Sequence, residues 1–155
     1  MILINPYALA TAGGGGGHRY WRFSGFTVGG GTFFEPSELQ LLVGSTLVST
    51  GKTFTSSIAN DSGQPLSNLC DENFVSTRVY WTTAHAEGGL TVDVDLGSAF
   101  AVDGVIQGGY DTNGRHMSAF TLSYSDDGSS WTVVGSKTGL SFPGFFAASS
   151  IYTFP

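Results

Sequence analysis

A strict alternation of apolar and polar side chains is the feature of this sequence that most constrains its fold. In the segment LTVDVDLG, the apolar residues Leu90, Val92, Val94 and Leu96 alternate with one threonine and two aspartates. Because successive side chains of a β-strand point to opposite faces of a sheet, this pattern predicts a strand with one buried face. Further strand-like segments, RYWRF, ELQLLV, FTLSYS, SWTVVG and SIYTF, are separated by turn signals such as EGG, DTNG and SDDGSS. Short strands at regular spacing, with no clear amphipathic helix, predict an all-β antiparallel β-sandwich of the jelly-roll type.

The aromatic residues of two segments are predicted to lie in the core of this sandwich. In RYWRF, Trp21 and Phe23 share one face of a strand, and we expect that face to point inward. In YSDDGSSWTVV, an Asp-Gly dipeptide between β-forming residues predicts a tight hairpin. Tyr124 and Trp131 then come from two paired strands, and we expect both in the core rather than on a ligand-binding surface.

The composition limits the classes of partner. The chain has 155 residues, of which 41% are hydrophobic, and this predicts a single domain with a substantial core. Its formal net charge is −6 and it has no basic stripe, so we expect neither nucleic-acid binding nor docking on anionic lipid. No segment approaches the roughly 20 apolar residues of a membrane span, which argues against membrane insertion. The single cysteine, Cys70, excludes an intrachain disulfide and is expected to be a small buried residue.

Residues 1–17 are predicted to form a tail that is joined loosely to one domain spanning residues 18–155. Five consecutive glycines, 13–17, give a flexible linker between the two. The tail lacks the basic residue and the uninterrupted apolar stretch of a signal peptide, so we expect no export by that route. The tail is either disordered or a docking peptide for a partner. In the second case, the candidate docking residues are Ile2, Leu3, Ile4, Pro6 and Tyr7.

Three segments, in order, resemble the discoidin domain, which is also called the coagulation factor five/eight C-terminal-type domain. They are LSNLCDENFVSTRVYW, VDVDLGSAF and FTLSYSDDGSSWTVV. HRYWRF and SELQLL also resemble a strand pair that usually closes such domains, but here they come first. That order is similar to the arrangement in virion proteins of tailed bacteriophages. The resemblance implies a galactose-binding-like jelly roll used for carbohydrate or surface attachment, which residues 1–17 would precede as an extended N-terminal tail.

The resemblance also implies a structural calcium ion (Ca²⁺). Members of this fold often hold calcium at an Asp-led loop, with help from an acidic residue on the closing strand. The matching positions here are Asp71 and Glu38, with Ser76 in the same loop. Calcium prefers hard oxygen ligands of this kind. Glu72 stands where the family usually has glycine, so it is either an extra ligand or part of a loop that holds without metal. In the alternative without calcium, Asp71 caps the loop by accepting hydrogen bonds from backbone amides.

The densest group of polar residues lies in the segment YDTNGRHM. Sugar-binding relatives place their site on loops at one end of the sandwich, with a histidine, an arginine, an asparagine and an aromatic ring. These groups can pair with sugar hydroxyls and support the apolar face of a sugar ring. The candidate carbohydrate-binding residues implied here are Tyr110, Asp111, Asn113, Arg115, His116, Arg78 and His85. The alternative is a solvated loop with an Asn113-Gly114 turn and an ion pair between Arg115 and Asp111.

No catalytic constellation stands out in the sequence. Asp93 and Asp95 share a strand face, and a pair of carboxylates is the catalytic arrangement of glycosidases. We do not expect that role here, because the two residues lead into an Asp-Leu-Gly turn that the resembling family uses structurally. No nucleophile elbow, zinc-protease motif or P-loop is present, so we expect no enzymatic activity.

Two hypotheses about function follow. The first is a structural component of a phage virion, in a tail, fibre, collar or capsid decoration. It is present in many copies, is assembled in host cytoplasm, binds other virion proteins through its tail, and attaches to host-surface glycans. The second is a stand-alone carbohydrate-binding module of a bacterial surface or secreted protein.

Overall fold

Antiparallel strands are the main secondary structure and helices are few, which confirms the predicted all-β fold. This computed structural model describes residues 16–110 and 112–155. The candidate docking residues of the tail and Asp111 therefore lie outside the described residues. In chain order the elements are β1 (His18–Val28), β2 (Phe33–Phe34), β3 (Pro36–Val43), β4 (Thr46–Leu47), β5 (Thr53–Ser56), a 3₁₀-helix (Leu66–Leu69), β6 (Trp81–Thr82), α1 (Thr83–Glu87), β7 (Val92–Phe100), β8 (Gly104–Gly109), β9 (Met117–Ser125), β10 (Thr132–Lys137), β11 (Ala147–Ala148) and β12 (Tyr152–Thr153). Within the described ranges, no helix has the length and apolar character needed to cross a membrane.

Two antiparallel sheets form the jelly-roll sandwich. The first has five strands in the order β10-β9-β1-β7-β5, and the second has the order β11-β8-β3-β4, with β12 also paired to β8. β2 and β6 form a separate two-stranded ribbon. The prediction that HRYWRF and SELQLL form a strand pair is wrong, because β1 pairs with β7 and β9 whereas β3 pairs with β8 and β4. Each strand instead contributes apolar side chains to one shared core from its own sheet.

The inward face of β1 is as predicted. Trp21 is 2% exposed and Phe23 is fully buried, while Tyr20 and Arg22 alternate with them on the outer face of the five-stranded sheet. On the neighbouring strand, Val92 and Val94 are also buried. The period-two pattern therefore placed the correct face of both strands against the core.

β3 is buried on both of its faces, although its sequence alternates. Leu39 and Leu41 belong to the core, but Glu38 and Gln40 on the opposite face are also fully buried. The loops after β4 and after the 3₁₀-helix cover this second face. For example, Ser49 Oγ donates to Gln40 Oε1 at 3.1 Å. A central strand covered in this way holds polar side chains only where they have hydrogen-bond partners.

The predicted hairpin between β9 and β10 is present, but only one of its two aromatic residues is in the expected place. Asp127 Oδ1 accepts hydrogen bonds from the Ser129 and Ser130 amides, and these bonds lower the pKa of the Asp127 carboxyl. Tyr124 packs against the core, as expected. Trp131 does not, since it lies half-buried with the Arg22 guanidinium 4.0 Å from its ring centroid. Thr132, and not Trp131, is the residue opposite Tyr124 in the ladder, so the side chain of Trp131 points to the other face of the sheet.

Candidate functional site

A buried carboxylate lies between two arginines where β3 begins and β8 ends. The Glu35 side chain is only 3% exposed. Its Oε1 lies 2.6 Å from Arg78 Nε, and its Oε2 accepts a hydrogen bond from Arg115 Nη1. The backbone fixes the arrangement, because the Glu35 amide donates to the Arg115 carbonyl at 2.8 Å. A carboxylate pays a large desolvation cost unless it is paired, so the two guanidiniums make the burial of Glu35 tolerable.

Aromatic rings line the cavity beside this ion-pair group. The rings of Phe33 and Tyr80 meet edge to face, with centroids 5.2 Å apart. The Arg115 guanidinium lies 5.1 Å from the Phe33 centroid, and that of Arg78 lies 4.4 Å from the Tyr110 centroid. The cavity has a volume of about 210 Å³. Guanidiniums held over rings in this way keep further N–H donors available to a ligand.

A second depression of about 270 Å³ shares Arg78 and Tyr80 with this cavity. Small hydroxyl and amide side chains line the rest of it, namely Ser62, Gln64, Asn68, Ser76 and Thr77. We call the cavity and the depression together the end groove. The end groove combines flat rings, guanidinium donors and neutral polar groups, which are the chemical groups that bind a polyhydroxylated ligand.

Three of the predicted carbohydrate-binding residues come together at the end groove. Arg78 and Arg115 line it, and Tyr110 stacks against Arg78. Asn113 is exposed in a turn that Gly114 completes at φ +93°, as the turn alternative predicted. Arg115 is paired with Glu35, a buried partner far away in the sequence, whereas the ion pair with Asp111 in the alternative lies outside the described residues.

The two predicted histidines lie apart from this group. His85 is on α1, and its Nδ1 lies 2.9 Å from Asp61 Oδ2. His116 is 9% exposed, and its Nε2 lies 3.1 Å from the Leu140 carbonyl oxygen. A Cβ atom at Gly29 would overlap the His116 ring, so this glycine allows the ring to pack inward. Neither histidine is among the residues that line the end groove.

Phe33, Glu35 and Tyr80 line the end groove as well, and none of them was predicted from the sequence. Phe33 is in β2 and Tyr80 directly precedes β6, and these two strands pair through Phe33 opposite Thr82. The ribbon therefore joins two segments that are far apart in the chain. The sequence did contain one signal for Glu35. It directly follows two phenylalanines in FFEP and precedes a strand-like segment, and a charge at such an apolar position needs a partner.

The loop that was predicted to hold calcium is organised around Asn73. Asp71 Oδ1 accepts hydrogen bonds from the Asn73 amide at 2.9 Å and from Thr77 Oγ1 at 3.1 Å. The Asn73 side chain donates to Ser76 Oγ at 2.7 Å. Glu72 adopts φ 60°, a left-handed conformation that favours glycine, which accounts for the glycine expected at this position. The loop therefore contains the amide caps that the metal-free alternative predicted.

Glu38 and Asp71 share the Asn73 amide as a donor, so their carboxylates lie close together. Burial, followed by the interaction with Asp71, raises the pKa of Glu38 to about 8. Both groups offer the hard oxygens that calcium prefers, and a cation between them would relieve their mutual repulsion. Among the described residues, no group of three or more histidine, cysteine, aspartate and glutamate side chains is arranged to hold a metal. A calcium ion here would therefore need main-chain carbonyl ligands as well.

The family of the chain is now clear from a comparison with known protein families. Residues 52–152 match the model of the F5/8 type C domain. The chain belongs to this family. F5/8 type C domains are generally non-catalytic binding modules, which agrees with the absence of catalytic motifs from the sequence. Comparisons with curated protein sequences and with solved structures give no match.

Two central strands of this F5/8 type C domain lie before the matched region. β1 is the middle strand of the five-stranded sheet, and β3 is central in the second sheet. Both precede residue 52, where the match begins. The N-terminal part of the described chain therefore completes the same sandwich instead of forming a separate unit.

Proposed function

We propose that the protein is a non-enzymatic structural component of a phage virion whose F5/8 type C domain binds carbohydrate in the end groove. The observation that carries the binding role is the buried Glu35 between Arg78 and Arg115, beside the rings of Phe33 and Tyr80. The carboxylate holds both guanidiniums in place, so their free donors are ordered before a ligand arrives. Pre-ordered donors beside flat rings lower the entropic cost of binding a sugar.

The virion role rests on the sequence and on the position of the first strands. The RYWRF and SELQLL strands precede the family match, as in the phage arrangement that the sequence resembles, and both are central in the fold. The chain is acidic, and its single cysteine is buried, so it needs no oxidative folding. In this proposal the protein is assembled in host cytoplasm and is present in many copies. Weak glycan contacts then become effective through avidity.

Arg115→Ala is expected to lower affinity for host-surface glycans by roughly tenfold or more. The substitution removes the N–H donors of the guanidinium and the contact that this group makes with the Phe33 ring in the groove wall. A glycan array, followed by titration of the positive glycans, measures this effect. His85→Ala is the matched control, because its side chain lies outside the end groove and pairs with Asp61. Equal loss in both variants, or an array without any bound glycan, would contradict carbohydrate binding in the groove.

Docking of the tail on other virion proteins is a separate expectation. Deletion of residues 1–12 should leave the domain folded but reduce the number of copies that co-purify with particles. Cryo-electron microscopy of intact particles and quantification of the protein in purified virions test this. Recovery of the wild-type protein entirely outside particles would favour the alternative, a stand-alone carbohydrate-binding module of a bacterial surface or secreted protein.

We also propose that the Glu38 and Asp71 carboxylates hold a structural calcium ion, with Ser76 in the same loop. What supports this proposal is the closeness of the two acidic groups and the raised pKa of Glu38. Calcium would neutralise the pair and fix the loop whose residues Ser76 and Thr77 line the end groove. Calcium would then support ligand binding indirectly, because it would fix the positions of Ser76 and Thr77 in the groove wall.

A further inference from the structure

An open cleft lies on the outer face of the five-stranded sheet, away from the end groove. It has a volume of about 290 Å³, and we call it the sheet cleft. The side chains that matter for its chemistry are Tyr20, Thr53, Thr55, Asp93, Asp95 and Trp131. None of them lines the end groove. The sheet cleft is therefore a separate feature of the surface.

Strand register places the polar side chains of the sheet cleft in two rows. Asp95 of β7 lies opposite both Tyr20 of β1 and Thr53 of β5. The second row has Arg22, Asp93 and Thr55 in the same three strands. Neighbouring strands are about 4.8 Å apart, so each row presents a polar group at regular intervals across the face. β5 is the edge strand of the sheet, and both of its threonines are exposed, so the cleft is open on that side.

Both carboxylates of the sheet cleft are neutralised. Arg22 binds Asp93 through two hydrogen bonds of 2.7 Å, from Nε and from Nη2. Arg19 binds Asp95 through an identical pair of 2.7 Å bonds. Two-point pairs of this kind fix the orientation of both side chains. The cleft therefore presents oriented donors and acceptors without a net charge from these four groups.

Each of these pairs also supports an aromatic ring. The Arg22 guanidinium lies 4.0 Å from the Trp131 centroid, and the Arg19 guanidinium lies 4.9 Å from the Tyr20 centroid. A Cβ atom at Gly128, in the hairpin turn, would be 3.8 Å from the Tyr20 ring, so the turn packs beside this ring. Both rings are half-buried, so part of each ring remains accessible.

We propose that the sheet cleft is a second binding site, which takes a neutral oligosaccharide. Aromatic rings bind the apolar C–H faces of sugars, while paired Asp and Arg groups and threonine hydroxyls bind sugar hydroxyls. The internal compensation of Asp93 and Asp95 by arginines favours an uncharged ligand over an acidic glycan or a basic peptide. Because the cleft is open at β5, it admits the interior of a chain and not only its end.

Binding to the sheet cleft is tested by ¹H–¹⁵N NMR titration of the full chain with maltohexaose, cellohexaose and chitohexaose as neutral probes. We expect at least one probe to shift the Trp131 indole signal and the amides of Tyr20 and Thr55 in a saturable manner. Trp131→Ala and Tyr20→Ala should each weaken that binding by about tenfold. Val133→Ala is the matched control, because Val133 is 64% exposed on the same hairpin and does not line the cleft.

Arg115→Ala separates this site from the end groove. Under the proposal, it leaves binding to the sheet cleft unchanged, even if the end groove binds no glycan at all. The proposal is overturned if no neutral probe moves the Trp131 indole signal, or if folded Trp131→Ala and Tyr20→Ala variants both bind as the wild type does. It is also overturned if the Trp131 signal changes with protein concentration alone, since the cleft would then be a contact between copies of this chain.

Discussion

Glu35→Gln is expected to lower the free energy of unfolding by about 3 kcal/mol and to abolish ligand binding in the end groove. Glutamine keeps the size of the side chain but removes the charge that compensates Arg78 and Arg115. The two guanidiniums would then face each other without their shared carboxylate. Each arginine side chain is about a third exposed, at 38% and 30%, so water screens part of the penalty. Chemical denaturation of the variant and of the wild type measures the difference.

A second substitution makes this prediction specific to the ion-pair group. Arg115→Met in the Glu35→Gln background removes one of the two uncompensated charges, so it should recover part of the lost stability. In the wild-type background, the same change should destabilise the protein, and a double-mutant cycle gives the coupling energy. Asp126→Asn serves as the control, since the Asp126 side chain is 74% exposed and pairs with His18, away from the ion-pair group. Additive effects of the two substitutions would show that Glu35 does not act through the arginines.

The fold was predictable because it depends on local pattern. Alternation in LTVDVDLG and RYWRF gave the buried faces of β7 and β1, and the Asp-Gly turn gave the hairpin between β9 and β10. The pairing of β1 with β3 was predicted wrongly, because alternation says which face of a strand is buried but not which strand lies beside it. Partner choice depends on the packing of the whole sandwich.

The candidate site was only partly predictable for the same reason. Arg115 and Tyr110 are close in sequence, so a search for polar residues within one loop found them. Phe33 lies in β2 and Glu35 directly follows it, more than seventy residues earlier in the chain, so their role appears only when this segment packs beside the loop. Trp131 was placed in the core because aromatic residues usually lie there, but Arg22 provides an alternative partner on the outer face.

The stability of the protein is expected to fall as pH rises from about 4.5 to about 8, because of Glu38. Its pKa in the folded protein is raised to about 8, whereas 4.5 is its ordinary value in an unfolded chain. Below pH 4.5, the carboxyl is protonated in both states, and its contribution to stability is fully present. Between the two values the unfolded chain loses the proton that the folded protein keeps, so unfolding becomes easier by up to about 1.4 kcal/mol per pH unit.

Glu38→Gln should remove most of this pH dependence, because glutamine stays neutral and can still accept the hydrogen bond from the Asn73 amide. Thermal unfolding of both proteins from pH 4 to pH 9, in the presence of a calcium chelator, provides the test. Glu72→Gln is the matched control, since Glu72 is exposed in the same loop. An equal slope in the wild type and in Glu38→Gln would assign the pH dependence to another group.

The same unfolding experiment, repeated with added calcium, tests the proposed metal site. A cation between Glu38 and Asp71 requires an ionised carboxylate, so its affinity should increase as pH rises towards 8. Added calcium should then raise the melting temperature of the wild type at pH 8 far more than at pH 5, and should have little effect on Glu38→Gln. A pH slope without any calcium response would mean that Asn73 and Gln40 hold the acidic pair by hydrogen bonds alone. In that case the end groove keeps its shape without a metal, and glycan binding should be insensitive to chelators.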